Sequence, residues 1–322
     1  MASAEAVAAV VEAGGAHVPG LMRELEARLT SLAGSYGSVL GKHAGATIAA
    51  GGKRLRPLLV FVSAGPGASS LALRAAVAVE LVHSATLVHD DVLDAAVLRR
   101  GRPTVVATAG RSIATATGDL LFSRAFAELA VGGSVDPVRV LSDASSALVQ
   151  GELLQREDAW KLQTTRERYL RRCDLKTARL FRAACELGAL AGGGNVALLG
   201  EFGERIGLAF QLLDDVLDVS GPAERTGKHR GTDLLDGTVT LPLILARERD
   251  PELAQLDLRA VRTPEQAEGV CDAIAATGAL DAARGEALAM VAEAKADLPA
   301  LPEPSQQAAL ELVADGVVDR YS

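Results

Sequence analysis

The chain has 322 residues, 49% of them hydrophobic and only 3% aromatic, a composition that favours helices and allows one large core or two smaller ones. A formal charge of −8 argues against nucleic acid as the main partner, so a phosphate-bearing substrate has to be met by local basic clusters or by metal. Cys173, Cys185 and Cys271 lie far apart. They offer neither a disulfide framework nor zinc spacing, and they point to the cytoplasm.

No basic-then-apolar leader opens the chain. Every apolar window of roughly 18 residues contains Arg, Glu, His or Asp, so no transmembrane segment is expected. Residues 1–15 are Ala-rich and are expected to fray. Residues 18–35 carry apolar groups at helical spacing behind Pro19. A second short helix should end near Ala50, stopped by Gly51 and Gly52. Lys53-Arg54-Leu55-Arg56-Pro57 follows, with Pro57 suited to the first position of a helix over 58–63 and beyond. Three cations at a helix start suit a phosphate or diphosphate, and equally a solvated basic turn.

No Gly or Pro interrupts residues 71–94, and Ser69 or Ser70 can cap their start. This helix is apolar nearly all round, which makes it central. His83, Thr86 and His89 break the pattern in its last turns, and it ends in Asp90-Asp91-Val92-Leu93-Asp94. His83 lies two turns before Asp90 on the same face. Gly101 and Pro103 then make a turn of Arg99-Arg100-Gly101-Arg102-Pro103-Thr104, whose arginine forks suit phosphate. Further helices are expected over 113–131, over 137–160 with Gln150, Gly151 and Glu152, and over 166–190 with Lys176 and Thr177. Asn195 should cap a helix over 196–220, in which Gly200, Gly203 and Gly207 allow close packing. Residues 224–240, with Lys228, Arg230, Asp233 and Asp236, read as a polar flap. Helices over 241–249, 263–298 and 306–320 read as packing elements, and no strand alternation appears.

The word Asp90-Asp91-Val92-Leu93-Asp94 recurs as Asp214-Asp215-Val216-Leu217-Asp218, again at the end of an apolar helix. On a helix, the first and last acids of each copy share a face. One such word more often marks a solvated face. Two copies on buried helices put together carboxylates whose repulsion calls for a cation between them. Hard oxygen donors of this kind suit Mg²⁺ shared with a substrate phosphate. The six candidate metal ligands are Asp90, Asp91, Asp94, Asp214, Asp215 and Asp218. The reading is one all-helical domain over residues 1–322 with both motifs facing a common cavity.

From Gly51 to Arg320 the chain resembles the trans-isoprenyl diphosphate synthases, the polyprenyl synthetase family. The resemblance is carried by GGKRLRP at 51–57, ELVHSATLVHDDVLD at 80–94, RRGRPT at 99–104, LKTARLF at 175–181, FQLLDDVLD at 210–218, TGKHRGTDL at 226–234 and TLPLI at 240–244. It implies an all-α, isoprenoid-synthase-like bundle of antiparallel helices around a deep central cavity, a homodimer, and Mg²⁺ bridging the acid motifs and an allylic diphosphate. It further implies that Lys53, Arg56, His83 and Arg100 hold isopentenyl diphosphate. Arg99, Lys176, Gln211 and Lys228 would contact the allylic partner, and Thr177 would lie near the developing cation. The implied catalytic set is Asp90, Asp91, Asp94, Lys176, Thr177, Gln211 and Asp214. Thr238 stands where the family often has a second lysine, and Ala95-Ala96-Val97-Leu98 replaces a usually acidic stretch.

The implied reaction joins isopentenyl diphosphate to the allylic diphosphate by 1′–4 coupling. The growing chain would pass Thr86 and Ala85, one turn deeper than Asp90. Their small side chains match long-chain members and favour an all-trans product longer than C20, an apolar molecule that would be handed to a membrane. The alternatives are a geranylgeranyl diphosphate synthase, a class I terpene cyclase, and a non-catalytic partner subunit. The last two fit poorly with the basic 51–57 motif and with two intact acid motifs.

Overall fold

The computed structural model describes residues 4–319 apart from 36, 50, 51, 68, 69, 100, 222–228, 299, 300 and 302. Gly51, Ser69, Arg100 and Lys228, all singled out in the sequence, therefore lie outside the described residues.

The fold is built around α5 (Ser70–Leu93), whose Ala72, Ala75, Val77, Ala78, Val79 and Val82 are all buried. Small side chains let neighbours approach from several sides. α4 (Leu55–Ala64), α6 (Val105–Ala130) and α9 (Arg179–Gly192) all pack on it, α6 over the greatest length. α5 is long and apolar enough to cross a membrane, with a mean hydropathy of 1.6 over 18 residues. However, 67% of that window is buried inside the bundle, which marks it as a core helix.

A second layer follows from glycines. α10 (Val196–Ser220) lies on α9 because Gly203 and Gly207 carry no side chain. A Cβ at those positions would stand 2.6 Å from Phe181 O and 2.7 Å from Ala178 Cα. Asn195 caps α10 as the sequence indicates, its side chain accepting from Leu198 N at 3.1 Å. α7 (Val135–Asp158) and α8 (Arg166–Cys173) complete the walls near the acid motifs. Beyond α11 (Thr232–Leu235) and α12 (Leu241–Arg247), the chain ends in α13 (Pro264–Ala276), α14 (Ala279–Ala296) and α15 (Pro304–Asp319). Of these, α14 packs along α10.

The structure departs from several expectations. Within the Ala-rich start, residues 4–13 form α1 (Ala4–Ala13), which packs on α15 and buries Val10. α2 (Val18–Ala33) and α3 (Gly37–Ala49) fall where expected, but α4 begins at Leu55, so Pro57 is its third residue. Proline is tolerated there because the first N–H groups of a helix have no partner within it. The first backbone bond of this helix runs from Leu58 N to Arg54 O. α6 opens with a short helical segment from Val105 that sequence reading missed, capped by Thr104, which accepts from Ala107 N. Gly110, at φ 79° and ψ 170°, breaks the helix at a kink, and the longer segment beyond it starts close to the expected Ile113. A two-residue ladder, β1 (Leu98–Arg99) on β2 (Arg102–Pro103), pairs Arg99 with Arg102 across Gly101. It is too short to leave an alternation in the sequence.

Candidate active site

The first acid motif occupies the last turn of α5, where the chain turns back through the β1–β2 hairpin. That turn returns Arg99 to the helix, and its Nε donates to Asp91 Oδ1 at 2.7 Å. Asp94 is met from α7, with Arg156 Nη2 donating to its Oδ1 at 2.5 Å. Asp90 is half-buried between these pairs. Burial pushes its carboxyl up to about 6; Glu152 and Asp94 push the same way, against Lys176 and Arg99.

The second motif ends α10. Asp215 is only 5% exposed, and both its oxygens accept hydrogen bonds. Tyr169 Oη donates to Oδ2 at 2.8 Å and Gln211 Nε2 donates to Oδ1 at 2.7 Å. Burial, with Asp214 beside it, pushes the Asp215 carboxyl up to about 7 despite these donors and Arg172. Asp218 Oδ2 accepts from the backbone N–H of Asp233 at 3.2 Å. Burial first, then Asp218, Asp215 and Asp214, hold the Asp233 carboxyl well above the ordinary range.

Between the motifs runs a π-helical turn, Asp174–Ala178, inserted where α8 meets α9. Such turns reorient successive side chains and recur at functional sites. Here Lys176 and Thr177 point to different helices. Lys176 Nζ donates to Glu152 Oε2 at 2.5 Å and to Gln155 Oε1 at 3.0 Å, which sets its charge near Asp90. Thr177 Oγ1 donates to Gln211 Oε1 at 2.6 Å, and Gln211 donates onward to Asp215. Gly151 makes this approach possible: a Cβ there would lie 2.6 Å from Lys176 N.

Of the basic cluster, the Arg56 guanidinium lies 4.6 Å from the centroid of the Phe181 ring, while Lys53 and His83 are half-buried. His89 faces α6 instead, its Nε2 3.3 Å from both Thr115 O and Asp119 Oδ1. Ala85 is completely buried. Thr86 is half-buried and donates to His83 O at 2.8 Å. Sequence reasoning gave no role to Tyr169, Glu152, Gln155 or Arg156, and named Asp233 only as part of the polar flap. The only signal for Glu152 was its place beside Gly151, and Tyr169, Gln155 and Arg156 carry none without the fold.

The donor set suits a hard cation. Desolvation raises the proton affinity of Asp90 and Asp215, so a cation supplied from solution would relieve both motifs. Among the described residues no three His, Cys, Asp or Glu side chains converge into a ready metal cage. Mg²⁺ does not require one, since it usually takes one or two carboxylates and completes its shell with substrate phosphate and water.

An all-helical bundle of isoprenoid-synthase fold, with two acid motifs at its helix ends, defines a trans-prenyltransferase. The chain belongs to the polyprenyl synthetase family, which matches residues 38–277. It is 43% identical over 228 residues to heptaprenyl diphosphate synthase component 2 of Geobacillus stearothermophilus, covering 69% of this chain and 70% of that one. It is 37% identical over 284 residues to geranylgeranyl diphosphate synthase of Methanosarcina mazei, covering 84% and 86%. The crystal structure of a polyprenyl synthase from Caulobacter crescentus, complexed with calcium and isoprenyl diphosphate, superimposes with a TM-score of 0.84 at 34% identity, over 99% of this chain and 98% of that one. Relatives of this kind make polyprenyl diphosphates of differing length.

Proposed function

We propose that residues 1–322 form one Mg²⁺-dependent synthase that condenses isopentenyl diphosphate with an allylic diphosphate and extends the product beyond C20. The observation that carries this reading is the π-helical turn, which brings Lys176 beside the first acid motif and Thr177, through Gln211, onto the second. In this reading both motifs face one reaction centre.

In this reading Lys53, Arg56, His83 and Arg100 hold isopentenyl diphosphate, while Arg99, Lys176, Gln211 and Lys228 meet the allylic diphosphate. Asp90, Asp91, Asp94, Asp214, Asp215 and Asp218 would hold Mg²⁺, which would supply charge neutralisation for the departing diphosphate. Asp91 and Asp215, the most buried acid of each motif, are themselves oriented, the first by Arg99 and the second by Tyr169 and Gln211. The allylic C–O bond breaks, and the isopentenyl double bond attacks the allylic carbon. The proton released from the isopentenyl unit passes to the departing diphosphate, since no strong general base stands among the proposed site residues. Thr177 and Gln211 present oxygens near the developing cation.

Small residues at Ala85 and Thr86 support a long product, as does the likeness to a heptaprenyl synthase component. Geranylgeranyl diphosphate is the alternative product, supported by the likeness to the Methanosarcina enzyme. A homodimer is proposed on the exposed Val149 and Leu153, one turn apart on α7. The name of the Geobacillus relative makes a two-component assembly the alternative, and the mass of the purified protein in solution decides between them. A cytoplasmic location is supported by three free, buried cysteines.

Asp90→Ala and Asp214→Ala should each lower turnover by about 10²-fold or more, with helical circular dichroism unchanged. Near-normal turnover in either variant contradicts the reading.

A further inference from the structure

Arg54 sits between the two basic residues proposed to bind isopentenyl diphosphate, yet its own charge is turned inward. Its side chain is 8% exposed. Nε donates to Glu26 Oε1 at 2.7 Å and Nη2 to Glu26 Oε2 at 3.2 Å. Nη1 donates to Glu80 Oε1 at 2.5 Å, and Nη2 also donates to Ile48 O at 2.9 Å. Most of its N–H donors are thus committed to α2, α3 and α5, which leaves the fork unavailable to a diphosphate. Its backbone is left-handed, at φ 50° and ψ 35°, a conformation unfavourable for a residue with a Cβ. The same residue caps α4, its carbonyl accepting from Leu58 N at 2.9 Å.

The contact with Glu80 gives this arrangement a consequence for the site. Glu80 lies on α5, one helical turn before His83, and is 4% exposed. The Arg54–Glu80 pair therefore fastens the loop that bears Lys53, and with it the first turn of α4 that bears Arg56, to the helix that bears His83. The left-handed turn at Arg54 sets the direction in which Lys53 leaves the loop and Arg56 enters α4.

We infer that Arg54 is a positioning residue that sets the spacing of Lys53, Arg56 and His83 through Glu80, and so controls affinity for isopentenyl diphosphate without touching it. This rests on the reading of those three residues as the isopentenyl diphosphate subsite. A buried, paired guanidinium in a left-handed backbone holds that geometry more tightly than a solvated loop would, and small misplacements of binding groups are costly.

The test separates side chain from backbone. Arg54→Gly keeps the left-handed turn at little cost, and pairing it with Glu80→Gln avoids leaving a buried carboxylate without its cation. The double variant should keep its helical circular dichroism and a cooperative melt. Its KM for isopentenyl diphosphate should rise about 10- to 100-fold, while the KM for farnesyl diphosphate changes by less than about threefold. Arg56→Ala, measured alongside, should show the same selectivity through lost contact. If Arg56→Ala is selective and the folded double variant raises both KM values alike or neither, Arg54 is merely structural and the inference is overturned. If Arg56→Ala is itself unselective, the subsite assignment fails and the inference goes with it. Should the double variant not fold, Arg54→Lys, which keeps the charge but loses the fork, must show the selective rise; an unselective result overturns the inference.

Discussion

The phenol of Tyr169 and the carboxylate of Asp215 share a hydrogen bond of 2.8 Å inside the protein, the phenol wholly buried and the carboxylate nearly so. Donation from Tyr169 favours the ionised form of Asp215, against a burial that pushes the carboxyl up to about 7. Tyr169→Phe removes that donor and fills the same space. The variant should lose about 1–3 kcal/mol of stability. The acidic limb of its pH–rate profile should also move to higher pH, because Asp215 holds its proton longer. A limb that stays in place, with full activity, would show that Asp215 does not need to ionise.

A second prediction follows from linkage. Asp90 is pushed up to about 6 and Asp215 to about 7, both above the ordinary 3.8. The folded chain then binds more protons than the unfolded chain between these values. The stability from these two groups is fully present below the unfolded pKa and is lost as pH rises through the folded values. The metal-free protein should therefore melt at a lower temperature at pH 8 than at pH 5. Mg²⁺ with inorganic diphosphate should raise the melting temperature more at pH 8, where the carboxylates are ready to bind. An equal or larger shift at pH 5 would contradict the assignment of these acids to a cation site.

Gly151→Ala tests the contact between α7 and the π-helical turn. The added methyl would stand 2.6 Å from Lys176 N and 2.9 Å from its Cα, with backbone rather than a flexible side chain in the way. Overpacking of this kind costs about 1–3 kcal/mol. Displacement of Lys176 and Thr177 should lower kcat more than tenfold or so. Normal kcat in this variant would mean that the turn tolerates movement and does not set the geometry of the centre.

The boundaries of α5 and α10 were legible because apolar runs, an Asn cap and Gly-Pro stops agree with one another there. Both acid motifs and the basic 51–57 segment were legible as local words. What the sequence did not disclose was the partner of each charge. Arg99 bonds Asp91, Arg156 bonds Asp94, and Arg54 turns inward to Glu80; none of these pairings has a local pattern, because each depends on how separate segments pack. The π-helical turn was hidden because Arg166–Leu190 keeps helical composition throughout, and one extra residue in a turn changes no propensity. The packing of α1 was not legible because an Ala-rich terminus reads as loose until α15 is there to cover it.

Ala85→Phe tests the wall of the product cavity. Ala85 is completely buried on α5 within the hydrophobic core, so a ring there must displace packed neighbours, and it shortens the product only if the growing chain runs along this face. The expected outcome is a markedly shorter main product, with a melting temperature within a few degrees of the parent. An unchanged product spectrum in a folded variant places the floor of the cavity elsewhere.

The most direct measurement is to incubate the purified protein with isopentenyl diphosphate, farnesyl diphosphate and Mg²⁺, and to size the dephosphorylated products by chromatography with and without a chelator. The account predicts metal-dependent, all-trans products longer than C20 and none in the chelated sample. Turnover that survives chelation, no elongation, or a product that ends at C20 would contradict it.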